Sequence, residues 1–110
     1  MISERIRERY MRDPLAVRLG GLAADLARIA SFSESPRNHD AVASLLEEGK
    51  YFAEWTAHDA DLDIQAVLAE VQGQLALWHR RWLAGRSEPF MRVEAQRCSD
   101  QLLELSGLVG

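Results

Sequence analysis

The sequence predicts an all-α protein, a four-helix up-down-up-down bundle with a short N-terminal helical arm. In four successive segments, apolar residues recur in alternating steps of four and three, which keeps them on one stripe of an α-helix. Only a few residues connect the segments, so neighbouring helices must run antiparallel. At 110 residues the chain has the length of one domain with one core. We therefore predict a single domain over residues 1–110, with residues 1–12 as the arm.

The third bundle helix has the clearest pattern and is predicted from near Asp61 to near Ala84. Asp61 is suited to cap its N-terminus, and Gly85 is suited to the left-handed position after its last turn. Two tryptophans belong to its inward stripe, where we expect them to act as core anchors. The stripe consists of Ile64, Leu68, Val71, Leu75, Trp78 and Trp82.

The arm and the first bundle helix precede it. Ser3 is predicted to cap the arm, whose apolar residues recur every four positions while its arginines face solvent. Asp13 followed by Pro14 predicts the start of the first bundle helix, as N-cap and first-turn proline. Gly20 and Gly21 interrupt this helix and indicate close packing or a bend. Its stripe is Leu15, Leu19, Leu22, Leu26, Ile29 and Ser33.

The second and fourth bundle helices complete the prediction. The second begins at Ser35-Pro36, ends near Ala57 and has the stripe Val42, Leu45, Gly49, Phe52 and Thr56, with Leu46 and Ala53 beside it. Ser87 is predicted to cap the fourth helix, and Gly107 to end it, with Leu108 folding back on the last turn. The stripe of the fourth helix is Met91, Ala95, Cys98, Leu102 and Leu105.

Composition and charge narrow the possible functions. The net charge of −4 and the pI of about 5.3 disfavour nonspecific binding to nucleic acid or to an anionic membrane. The first residues alternate in charge and lack the apolar stretch of a signal peptide, and no apolar run is long enough to span a membrane. Cys98 is the single cysteine, expected to be a buried inert thiol. We expect a cytoplasmic protein.

An acidic string before the third bundle helix partly matches a calcium-binding loop. Asp59, Asp61, Asp63 and Glu70 have the spacing of ligands in an EF-hand, but Ile64 takes the position where the sharp turn needs glycine. A β-branched residue is unsuited to that turn. The preferred interpretation is that Asp61 caps the helix and its neighbours complement the helix dipole.

A second set of polar residues could bind a metal or ligand. Glu54 and His58 lie one turn apart on the second bundle helix, and with Asp61 and Asp63 they would form an acidic corner. Glu54 and His58 point away from the apolar stripe, whereas the metal-binding Glu and His side chains of dimetal bundles face inward. We therefore prefer a solvated acidic face, with no metal and no cofactor, and keep a ligand- or metal-binding bundle as an alternative.

Arginine and aromatic residues gather where the third helix leads into the fourth. Such residues can contact phosphates and stack on bases, which leaves weak binding of nucleic acid or of an anionic ligand as a second alternative. Because the tryptophans belong to the inward stripe, a basic end on a packed core is preferred. The residues concerned are Trp78, His79, Arg80, Arg81, Trp82, Arg86, Arg92 and Arg97.

Two helices carry small or apolar residues on the side away from their stripes. These are Ala66, Ala69, Gly73 and Leu77 on the third helix and Val17, Gly20, Ala24 and Ala27 on the first. A glycine on an exposed helix face lowers stability unless another backbone comes close. The arm could cover one face and a second copy of the chain the other, with Tyr51, Trp55, Phe32 and Leu103 extending the contact.

No catalytic motif accompanies these features. The sequence lacks a nucleophile elbow, a phosphate-binding loop and a dinucleotide fingerprint. We therefore expect a small non-catalytic bundle that acts by protein–protein contact as a homodimer, the commonest symmetric assembly.

Overall fold

The computed structural model describes residues 3–86 and 89–107, and within those ranges it contains five α-helices and no strand. The all-α bundle with an N-terminal helical arm is therefore confirmed. A 3₁₀ turn at Pro36–Asn38 precedes the third of the five helices. The arm is α1 (Glu4–Met11), and the bundle helices are α2 (Leu15–Phe32), α3 (His39–Ala57), α4 (Leu62–Leu83) and α5 (Met91–Ser106).

Successive bundle helices run antiparallel. At one end of the α3–α4 pair, the Trp82 indole donates a hydrogen bond to the His39 carbonyl at 2.9 Å. At the other end, the Gln65 amide donates to the Ala57 carbonyl, also at 2.9 Å. Among the described residues, α2 packs most extensively on α5, and α3 on α4, whereas α4 and α5 touch only slightly. The fourth side of the bundle is therefore open as a groove between α4 and α5.

Most residues of the core come from the predicted stripes, whereas the stripe members Leu15, Ser33, Leu45, Ile64 and Trp82 are half-buried. Each fully buried leucine or isoleucine contributes about 1.5–3 kcal/mol to folding. Leu105 is an exception, because its side chain is 39% exposed and not inward-facing. A straight α-helix drifts by about 20° per heptad from an even seven-residue repeat, so two heptads after Met91 the stripe has rotated outward. The residues buried to 0–1% exposure include Leu19, Leu22, Leu26, Ile29, Val42, Leu46, Leu68, Leu75 and Leu102.

Three predicted helix ends are confirmed. The Asp61 carboxylate accepts a hydrogen bond from the backbone N–H of Ile64 at 3.0 Å and so caps α4. Gly85 and Gly107 have φ angles of +70° and +73°, which side chains rarely tolerate, and they end α4 and α5. None of the helices in the described ranges has an apolar stretch that could cross a lipid bilayer.

Two predicted helix starts are shifted. Pro14 is the N-cap residue of α2, since its carbonyl accepts the first helical hydrogen bond, from the Arg18 backbone N–H at 3.0 Å. Asp13 therefore lies one residue outside the cap. Ser35 opens the 3₁₀ turn without a side-chain capping bond, so α3 begins at His39. The predicted Ser87 cap and Leu108 contact lie outside the described residues.

Close approach of three helices explains Gly49. A Cβ atom at this position would lie 3.1 Å from Leu75 Cδ1 on α4 and 3.7 Å from Leu22 Cδ1 on α2. The first distance is shorter than ordinary van der Waals contact, so a side chain at position 49 would require the Leu75 methyl group to shift by a few tenths of an ångström. This glycine therefore serves packing within the chain.

The arm docks through Tyr10. As predicted, Ser3 caps α1, accepting from the Ile6 backbone N–H at 3.3 Å. The Tyr10 ring stacks on Phe52 of α3 at a centroid distance of 3.9 Å. Its hydroxyl donates to the Arg18 carbonyl at 2.9 Å and so accepts from the Thr56 hydroxyl at 2.6 Å. Burial raises the pKa of Tyr10 to about 12, which keeps the phenol neutral and able to donate.

Candidate functional site

The outer face of α4 is a predicted contact surface that the structure leaves open. Gly73 lies at the middle of the helix, and a Cβ atom built there meets nothing within 4 Å. Residues three and four positions away share this face and are exposed. We define the α4 face as Leu62, Ala66, Ala69, Glu70, Gly73, Ala76, Leu77, Arg80 and Ala84, all exposed.

The α4–α5 groove runs beside this face. It has a volume of about 380 Å³ and is lined from α4 by Ala69, Glu70, Gly73 and Gln74, among others, and from α5 by Arg97, Cys98 and Gln101. Cys98 is buried at its base, and burial raises the pKa of the thiol, which keeps it protonated and unreactive. The groove is therefore a shallow space walled by small and polar side chains.

The predicted face on α2 is mostly used inside the chain. The Ser99 hydroxyl of α5 donates to the Ala23 carbonyl of α2 at 2.7 Å, which holds the two helices close together. Gly20, Ala24 and Ala27 are half-buried beside this contact, whereas Val17 is exposed. The small residues of α2 therefore have a packing role within the bundle.

Trp55 also packs inside the protein. Its side chain is 7% exposed, and its ring lies 6.0 Å from Tyr10 and 5.9 Å from Phe52. The expectation that it extends an outer contact surface was therefore wrong, because α1 covers it. Tyr51 lies 5.7 Å from Trp55 and is half-buried.

The acidic corner is not assembled as a metal site. Asp61 uses its carboxylate to cap α4, and Glu54, His58 and Asp63 are exposed. In the described part of the chain, no three His, Cys, Asp or Glu side chains are grouped as metal ligands would be. Asp59 instead pairs with the buried Arg18 guanidinium at 3.0 Å.

At the basic end, the aromatic rings already pack against other residues of the chain. Trp78 is buried, and Trp82 stacks on His39 at 5.1 Å while its N–H is held by the His39 carbonyl. Arg92 pairs with Glu34, in the turn after α2, and Arg97 pairs with Glu94 at 3.0 Å. Trp78 is therefore a core anchor, whereas Trp82 is half-buried at the edge of the core, and two of the arginines already have carboxylate partners. Arg80, Arg81 and Arg86 are exposed, and His79 is half-buried.

A buried carboxyl pair between α2 and α3 was missed by the sequence analysis. Asp25 is 3% exposed, and its Oδ2 contacts no hydrogen-bond donor among the described residues. Burial, together with the facing carboxyl group of Glu48, raises the pKa of Asp25 to about 8, whereas Arg28, 3.2 Å away, opposes the shift. The available signal was that Asp25 lies beside the α2 stripe, three residues after Leu22 and four before Ile29.

The structure provides three surfaces on which a function could rest. They are the open α4 face with its groove, the acidic corner and the basic end. Comparison of the chain with protein-family models, curated proteins and solved structures found no match.

Proposed function

We propose that this protein is a small non-catalytic helical bundle that acts by protein–protein contact, and that it associates with itself through the α4 face. The observation that carries the proposal is Gly73. Glycine in the middle of a helix is less stable than alanine by about 1 kcal/mol, so an exposed glycine is unfavourable in an isolated helix.

Comparison with Gly49 supports this reading. A Cβ atom at Gly49 would lie 3.1 Å from Leu75 Cδ1, closer than ordinary contact, whereas a Cβ atom at Gly73 would meet open space. Packing within the described chain therefore gives no reason for glycine at position 73. Close approach by the backbone of a second chain gives one, because small residues let two helices come near each other.

The apolar character of the surface supports the same conclusion. Leu62 is 81% exposed and Leu77 is 38% exposed, and both lie on the α4 face with its alanines. Burying these side chains is favourable at roughly 25 cal/mol per Å² of apolar area. A contact centred on one helix pair is smaller than a standard stable interface, so we expect a dimer of micromolar affinity.

The test is the solution mass as a function of concentration. Sedimentation velocity from about 5 to about 500 µM should show a monomer converting to a dimer. Gly73→Lys should keep the helix but block association, since lysine is a good helix former and cannot fit a close crossing. Ser44→Lys adds the same charge at an exposed position of α3 and should still dimerise. A wild-type monomer throughout this range, or dimerisation of Gly73→Lys, would contradict the proposal.

A further inference from the structure

We propose that the second copy packs α4 against α4 in antiparallel orientation, on a two-fold axis at Gly73, with Leu77 of each chain inserted between Ala66, Ala69, Glu70 and Gly73 of the other. This inference rests on the proposed function, since it specifies how the self-association is built. It follows from three properties of the α4 face: its symmetry about Gly73, the shape of its surface and the order of its charges.

The symmetry is set by sequence position. Because α4 spans Leu62–Leu83, Gly73 stands at its midpoint. A two-fold axis there exchanges positions equally far before and after the glycine. Leu77 follows Gly73 by four residues, and Ala69 precedes it by four. Leu77 of the second copy is therefore placed at the height of Ala69, and the reciprocal contact forms at the same time.

The surface has the shape required by this contact. Residues at i, i+3, i+4 and i+7 surround a hole on a helix surface, and Ala66, Ala69, Glu70 and Gly73 have this spacing. Three of the four have no side chain beyond Cβ, so the hole is open, and it borders the α4–α5 groove. Leu77 is the large apolar side chain on the same face, within one turn of Gly73.

The charges along α4 favour the antiparallel orientation. The half before Gly73 carries Asp63 and Glu70 and no basic residue. The half after it carries Arg80 and Arg81 and no acidic residue. Antiparallel packing places each acidic half against a basic half, whereas parallel packing would place like charges together. The α4 face thus carries both the Leu77 side chain and the hole that can receive it, and both acidic and basic residues. Because the face is complementary to itself, we take a second copy of the chain as its partner.

The first experiment tests the inserted leucine. Leu77→Ala should raise the dimer dissociation constant at least about tenfold, because two buried side chains are lost per dimer. Val93→Ala is the control, since Val93 is also an exposed apolar residue, at 60%, and lies on the side of α5 next to α2, away from the α4 face. It should leave the dissociation constant within about twofold of the wild-type value. Far-UV circular dichroism checks that both variants remain folded.

The second experiment tests orientation. A spin label at Leu83→Cys, in a Cys98→Ala background, lies ten residues from Gly73, or about 15 Å along the helix. Pulsed electron spin resonance should therefore give a label separation of about 30 Å in the antiparallel dimer, against under about 20 Å for parallel helices.

The outcomes separate the two proposals. A monomeric wild type overturns the self-association and its geometry together. A wild-type dimer that is unaffected by Leu77→Ala, or that gives the short label separation, overturns the antiparallel α4 packing alone.

Discussion

The buried carboxyl pair predicts that stability falls as the pH rises through neutrality. The unperturbed pKa of Asp25 is 3.8, and its pKa in the folded protein is about 8. Between these values the folded protein holds a proton that the unfolded chain has released. Because stability decreases with pH wherever the folded state binds more protons, the loss begins above about pH 4 and ends near pH 8. Glu48 on α3 and Arg28 on α2 are the charged groups that set this balance.

Asp25→Asn removes the titrating group while keeping its shape. At pH 7 the pH exceeds the pKa of Asp25 in the unfolded chain by about three units. Each unit lowers the free energy of unfolding of the wild type by about 1.4 kcal/mol, so its loss at pH 7 is at most about 4 kcal/mol. Relaxation around buried charges reduces such penalties, so we expect the variant to gain about 2–4 kcal/mol in the free energy of unfolding. Its amide can also donate to the Glu48 carboxylate, whereas a carboxylate at position 25 cannot.

Urea denaturation followed by far-UV circular dichroism, at about pH 5, pH 7 and pH 9, measures this effect. The difference between wild type and Asp25→Asn should be smallest at pH 5 and largest at pH 9. Asp100→Asn changes an exposed carboxylate on α5 that accepts from Gln96 at 3.0 Å, and it should keep the wild-type pH profile. If Asp25→Asn also kept the wild-type pH profile, or were less stable than wild type at pH 9, Asp25 would not hold its proton in the folded protein and the reasoning would be refuted.

Three further substitutions test the packing by urea denaturation at low protein concentration. Tyr10→Phe keeps the ring stack but leaves the Thr56 hydroxyl without its partner, so we expect a loss of about 1–2 kcal/mol, and an unchanged stability would place the arm elsewhere. Gly49→Ala should destabilise by about 1–2 kcal/mol, since the added methyl meets Leu75 at 3.1 Å; a gain would show that Leu75 moves aside freely. Gly73→Ala should stabilise the monomer by about 1 kcal/mol, because its new methyl group meets open space, and a loss would reveal an unseen contact.

Local patterns predicted the helices well because the responsible forces act within a few residues. The capping of α4 by Asp61 and the left-handed ends at Gly85 and Gly107 depend on backbone groups one turn away. The apolar stripes follow from helix periodicity, and Leu105 was misplaced only because that period is 3.6 residues and not 3.5. These features need no knowledge of which helices are neighbours.

Contacts between distant parts of the chain could not be read in this way. Trp55 was predicted on an outer surface because its cover, Tyr10, comes from an arm whose docking position depends on Thr56 and the Arg18 carbonyl. Asp25 was overlooked because its partner Glu48 is on another helix, and periodicity alone cannot pair two polar residues across an interface. The small residues of α2 were assigned to an outer contact face because the antiparallel pattern does not reveal that α5 packs there.

The same limit bears on the candidate site, where two glycines give opposite information. The sequence placed Gly49 on the inward stripe of its helix and Gly73 on the outer side, and each interrupts a long helix at the same propensity penalty. The structure accounts for Gly49 by the Leu75 and Leu22 methyl groups, so its penalty is offset within the chain. No contact in the described residues explains Gly73, and the helix surfaces before and after it are complementary in shape and opposite in charge. A second copy of α4 supplies the missing neighbour, as the Leu75 methyl group does for Gly49.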